Sequence, residues 1–148
     1  MLLSAQVRVF PTMLLQYWGE HLFLQSTVLV TYEVEIFLPT LLSHNTTPSA
    51  YPPSRVQGLM PLNIYFAWLS PDADHCNQDA VRTSARTLQA SVISSGQSDA
   101  GNAALYPNYA IFDTPLIDLY GANLPRLQAI KVGVDPDNVM GLAGGFKL

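Results

Sequence analysis

The chain has 148 residues, 49% of them hydrophobic and 12% charged, with a net charge of -4. Its charged share is about half that of an ordinary soluble domain, which excludes a disordered acidic tail and a coiled coil. Seven basic residues against eleven acidic ones, with no basic cluster, exclude the usual nucleic-acid binder, which must neutralise phosphates.

The first part of the chain, Met1 to about Ser54, carries one basic residue, Arg8, and three acids, Glu20, Glu33 and Glu35. Its apolar run from Leu22 to Val30 falls short of the roughly 18 residues a bilayer span requires. Met1-Leu2-Leu3 is followed by Arg8 and Pro11, without the ordered basic, apolar and cleavage regions of a secretory signal. Apolar and polar residues partly alternate from Val30 to Pro39, which suits a half-buried strand, with a helix as the alternative. From Ser43 to Pro53 the chain reads as a polar, proline-rich loop. Within it, Asn45-Thr46-Thr47 matches the glycosylation acceptor pattern, a short match that has meaning only in a secreted protein.

The second part is clearer. Leu62 to Trp68 is rich in β-formers and framed by Pro61 and Pro71, as a central strand would be. Ser70-Pro71-Asp72 supplies a cap, a rigid start and an early acid for a helix running from about Asp72 to Ser94. Val81, Ala85, Leu88 and Val92 recur at helical spacing and predict an apolar stripe against a sheet. Arg82 and Arg86 lie on its flank, with Asp79 placed to pair with Arg82. Gly96 is suited to end the helix.

After a loop from Gly96 to Gly101, Leu105-Tyr106-Pro107-Asn108-Tyr109-Ala110 sets two phenols around a proline and an amide. Asn123 is placed to cap a helix containing Leu124, Leu127 and Ile130, with Arg126 outward. Asp135-Pro136 repeats the cap-plus-proline start for a short turn. The tail from Gly141 to Phe146 is glycine-rich but lacks the spacing and the Lys-Ser/Thr pair of a phosphate loop.

Few residues offer chemistry. His21, His44 and His75 have no metal-ligand spacing, so no metal site is expected. The single cysteine, Cys76, excludes a disulfide framework and a thiolate-rich zinc site. It adjoins His75, but helix neighbours point about 100° apart, so a buried thiol is expected rather than a reactive dyad. No Gly-x-Ser-x-Gly nucleophile turn is present. Asp113 and Asp118 are expected to cap or to face water. Around Tyr106–Tyr109, Pro107 constrains the backbone and Asn108 can both donate and accept, which suits the edge of a heterocycle. A packed aromatic turn fits the same residues. Tyr109 acts as a free base only where its normally high pKa is lowered.

Three blocks in one order carry a resemblance: Tyr106-Pro107-Asn108-Tyr109-Ala110, then Leu119-Tyr120-Gly121-Ala122-Asn123-Leu124-Pro125-Arg126-Leu127, then Ile130-Lys131 with Val134-Asp135-Pro136-Asp137-Asn138-Val139. Together they resemble the end of FAD-linked oxidases, and more narrowly the C-terminal segment of the berberine-bridge-enzyme-like family, in a version similar to fungal members. The strand Asn63–Trp68 and the helix to Gly96 resemble the preceding part of that family's substrate domain. The likeness runs from about Thr31 to Leu148.

The resemblance implies an α+β fold: a partial substrate domain of a two-domain FAD-linked oxidase, with antiparallel strands backed by helices and a C-terminal segment that approaches the flavin. It divides the chain into a poorly matching segment 1–30, a partial substrate domain 31–104 and a family C-terminal segment 105–148. It implies Tyr109 as catalytic base, with Asn108 and Tyr106 toward the cofactor FAD, and no metal. The implied reaction oxidises a small organic substrate by hydride transfer to flavin. Because the chain lacks that family's flavin-binding domain, the expectation is a fragment that is inactive alone. Its implied partner is that domain in cis or a separate flavin protein, with no nucleic acid and no membrane span. The alternative is a non-catalytic interaction module or subunit pairing with such a protein. Localisation is left unassigned, with secretion of a full-length parent one option.

Overall fold

The sheet grows from two β-rich stretches that can bury one face each. In the computed structural model, which describes residues 2–3, 26–35, 37–38, 40–41, 44, 47, 49–52, 60–143 and 145–148, they are β2 (Thr27–Val34) and β3 (Met60–Trp68). They pair antiparallel, with Val30 opposite Phe66 and Tyr32 opposite Ile64, and a bulge between Thr27 and Leu29. The two-residue β1 (Leu2–Leu3) pairs antiparallel with the other side of β3, giving the order β1-β3-β2.

Boundaries differ from the sequence expectation in an instructive way. The first strand begins earlier, at Thr27, and ends at Val34 rather than near Pro39. Beyond it Glu35 N–H still donates to Pro61 O at 2.9 Å, but Phe37 N–H turns back to Glu35 O at 3.1 Å. Among the described residues the partner strand starts at Met60, and no ladder partner lies opposite the chain past Glu35. Pro61 sits inside β3 near its start, where a missing N–H is tolerated.

Ser70 accepts from Asp72 N–H at 3.3 Å and starts a 3-10 turn, Pro71–Ala73, which runs directly into α1 (Asp74–Ser94). Gly96, at φ +97°, ends the helix in the left-handed region as the sequence predicts. Its buried face, however, is Asn77, Ala80, Ser84, Leu88 and Val92; Val81 and Ala85 are only half-buried. The stripe is displaced because two polar residues find partners on β2. Thr27 Oγ1 donates to Asn77 Oδ1 at 2.7 Å, Asn77 Nδ2 donates to Ala73 O at 3.0 Å, and Tyr32 Oη lies 2.9 Å from Ser84 Oγ. A satisfied polar group can be buried at little cost, so spacing of apolar residues alone misplaces the face.

Two apolar clusters fill the space between α1 and the sheet. Leu62, Leu88, Val92 and Ala100 form one, and Phe66 with Ala80 forms the other. Cys76, expected to be buried, is half-buried and packs on the second cluster, beside an exposed His75. Trp68 Nε1 donates to Asp74 Oδ1 at 2.6 Å and joins the end of β3 to the first turn of α1.

The C-terminal part adds α2 (Leu116–Tyr120) and α3 (Leu124–Val134). Leu119 is fully buried, whereas α3 has no buried residue: Leu124 and Leu127 are half-buried and Ile130 is exposed. Asn123 does not cap α3. Its amide donates instead to Ser49 O and Ala50 O at 3.0 and 3.2 Å, tying the helix start to the earlier loop. Asp135 does cap, but a later turn: its carboxylate accepts from Val139 N–H and Met140 N–H at the start of a 3-10 turn, Val139–Leu142. The glycine-rich tail thus holds one regular turn. Lys131 Nζ reaches the same carboxylate at 2.7 Å and holds Asp135 below the usual carboxylate range.

The glycosylation pattern at Asn45–Thr46 and His21 lie outside the described residues, as does the start of the Leu22–Val30 run. Among the described residues no helix is long and apolar enough to cross a membrane. Leu88 is the packing centre, so Leu88→Ala should lower unfolding stability by about 2–5 kcal/mol, measured by urea denaturation. Thr83→Ala on the exposed face of α1 should leave the midpoint nearly unchanged.

Candidate functional site

Pro107 places Tyr106 in extended backbone and opens a single 3-10 turn, Pro107–Tyr109, closed by Tyr109 N–H to Tyr106 O at 3.0 Å. The tight turn brings the two phenol rings into edge-to-face contact, with centroids 5.0 Å apart at 78°. Tyr106 also meets Tyr51 at 5.9 Å and Phe37 at 6.5 Å, both edge-to-face. Such pairs favour this geometry because a ring's positive edge faces its neighbour's negative face. The turn is therefore packed on one side by rings from distant parts of the chain.

Its other side carries the polar groups. Asn108 is exposed, and its amide donates to Tyr106 Oη at 3.0 Å. Tyr109 Oη donates to Glu35 Oε1 at 2.7 Å, across 74 positions of sequence. Glu35 is fixed in turn by its backbone bond to Pro61. The structure thus brings together all three sequence-expected residues, Tyr106, Asn108 and Tyr109, and adds Glu35. In sequence Glu35 is one acid of a strand-like alternation with Glu33, and nothing in its spacing points to Tyr109.

The sequence condition for Tyr109 as a free base is a lowered pKa, and the structure does the opposite. The hydrogen bond to Glu35 is the main cause, with burial and the negative charge of Glu35 adding to it, and the phenol is pushed up to about 12. Tyr109 is a neutral donor at physiological pH. Burial also raises Tyr51 and Tyr32, the latter against the opposing hydrogen bond from Ser84.

Asp113, expected to cap or face water, pairs with Arg82 at 2.5 Å and anchors the segment after the turn to α1. The expected Asp79–Arg82 pair is present but longer, at 3.5 Å. Among the described residues no group of three or more His, Cys, Asp or Glu is arranged to hold a metal ion.

Residues 105–143 match the family described as Berberine and berberine like, over about a quarter of the chain. The match supports an FAD-oxidoreductase lineage at a general level. No curated protein and no solved structure matches the chain. The residues present do not make a whole FAD site by themselves. Glu33, Glu35, Asp113 and Asp118 outnumber Arg82 and Arg86 around Tyr109 and its adjoining cavity, a poor setting for a diphosphate. What they offer is one exposed amide and an aromatic edge.

The Tyr109–Glu35 bond stabilises the neutral phenol fully below the ordinary value of 10, and that stabilisation is lost as pH rises through about 12. Subtracting the ultraviolet titration of Tyr109→Phe from that of the wild type should isolate a midpoint of about 12. In Glu35→Gln the same phenol should titrate closer to 10. A wild-type midpoint already near 10 would show that the pair does not form.

Proposed function

We propose that this chain serves as the substrate-domain and C-terminal part of an FAD-dependent oxidoreductase that oxidises a small organic substrate. On this reading FAD is held by a flavin-binding domain, in cis or in a separate protein, and supplies the redox chemistry. The chain alone is inactive. The family match at 105–143 supports the lineage, and the observation that carries the reading is the hydrogen-bonded Tyr109–Glu35 pair beside exposed Asn108.

Within that reading Tyr109 handles the substrate proton. A phenol held at high pKa is a poor free base, but it relays well: as its Oη accepts a proton from a substrate hydroxyl, its own proton passes to Glu35. The phenol stays neutral throughout, so the raised pKa does not oppose the transfer, and the carboxylate is the final acceptor. Asn108 and Tyr106 present the amide and ring edge toward the cofactor.

A second reading, a non-catalytic module pairing with a flavin protein, is favoured by the apolar surface at the C-terminal end. Val132, Val134, Val139, Met140 and Leu142 are each at least 62% exposed. Large apolar side chains left exposed over one short stretch of chain are of the kind a partner covers.

The two readings separate by experiment. Incubated with FAD and gel-filtered, the chain alone should retain no flavin and oxidise nothing. Fused to a flavin-binding domain of a berberine-like oxidase, it should give a flavin-containing protein that oxidises small alcohols. There Tyr109→Phe should keep the flavin and lower turnover by about 10²-fold or more. Full turnover in Tyr109→Phe would remove Tyr109 from proton handling and leave the non-catalytic reading.

A further inference from the structure

A cavity of about 440 Å³ lies between β3, α1 and the segment from Leu105 to Asp118. That size falls within the range of small-molecule sites. Leu62 and Ile64 from β3, Val81 and Ala85 from α1, and Leu105 and Ile111 line it with hydrocarbon. Val81 and Ala85, both half-buried, border it from α1, and Val81 also packs on the Phe66–Ala80 cluster. Tyr109 reaches the same cavity.

The charges around it are unequal in their pairing. Arg82 is engaged by Asp113 at 2.5 Å and by Asp79 at 3.5 Å. Arg86, one turn further along the same helix, lines the cavity and has no carboxylate within ion-pair distance among the described residues. Its helical neighbours at three and four positions are Thr83, Arg82, Gln89 and Ala90, so α1 itself offers it no acid. Arg86 is exposed, and its planar guanidinium offers a fork of donors suited to bidentate contact with a carboxylate. Asp118 also lines the cavity without an ion pair among the described residues, so an amine is the competing ligand.

We propose that this cavity binds a small organic carboxylate with a largely apolar body, its carboxylate held by Arg86 and its body against the floor of Leu62, Ile64 and Val81. As a binding site the cavity stands independently of any redox role. As the site of the oxidised substrate it rests on the flavin-dependent reading above, through Tyr109.

The test is calorimetric titration of the full chain, without flavin, using 4-phenylbutyrate, its alcohol analogue 4-phenylbutan-1-ol and 4-phenylbutylamine. The carboxylate should bind tightest. Arg86→Gln should weaken it about tenfold or more, the loss of a charge-assisted hydrogen bond, and leave the alcohol unchanged. Arg126→Gln, an exposed arginine of α3, should change neither. Ala85→Leu should weaken carboxylate and alcohol together by filling the cavity, with circular dichroism confirming the fold of each variant. Absence of binding, a preference for the amine or the alcohol, or a carboxylate affinity unaffected by Arg86→Gln would each overturn the proposal. None of these outcomes bears on flavin retention or turnover in the fused protein, so failure here and failure of the oxidoreductase reading are separate results.

Discussion

A two-stranded antiparallel ribbon is marginal in water, and the packing of α1 across one face of β2–β3 is what makes the remainder possible. That contact is sealed by Leu88 and Val92 against Leu62, and by Ala80 against Phe66. It also has a polar seam. Asn77 and Ser84 sit fully buried with partners on β2, so the helix is held in one register along the strand and cannot slide to another apolar fit. Once the register is set, the end of β2 is set too, and with it the position of Glu35.

The C-terminal segment is then built onto this frame from its edges. Arg82 reaches Asp113, the rings of Phe37 and Tyr51 receive Tyr106, and Glu35 receives Tyr109. Each connection is made by a residue distant in sequence from its partner. The aromatic turn is consequently both of the things its residues allow: a packed turn on one side and a polar, solvent-facing edge on the other. Packing holds the two phenols still, and a proton-handling group gains from being still.

What could be read from the sequence follows the range of the interactions. The strand to Trp68, the cap at Ser70 and the stop at Gly96 depend on neighbours a few positions away, and the structure bears them out. The buried face of α1 was legible only in its last two members, Leu88 and Val92. Its first three positions depend on hydroxyl and amide partners some fifty residues earlier. Asn123 reads as a helix cap by local rules and instead satisfies carbonyls of a remote loop. The aromatic turn was legible as a turn and its three residues do come together, but the sequence held no trace of Glu35 beside it. That partner reverses the direction in which the phenol's acidity moves.

Trp68 occupies the point where β3 hands over to α1, its indole N–H bound to the carboxylate of Asp74. An indole's emission shifts with solvent exposure and with a nearby negative charge. The junction on which the sheet–helix docking turns therefore carries its own optical reporter, distinguishable from Trp18 by replacing the latter with phenylalanine. Separation of strand from helix would be visible as a red shift before the ribbon itself has come apart.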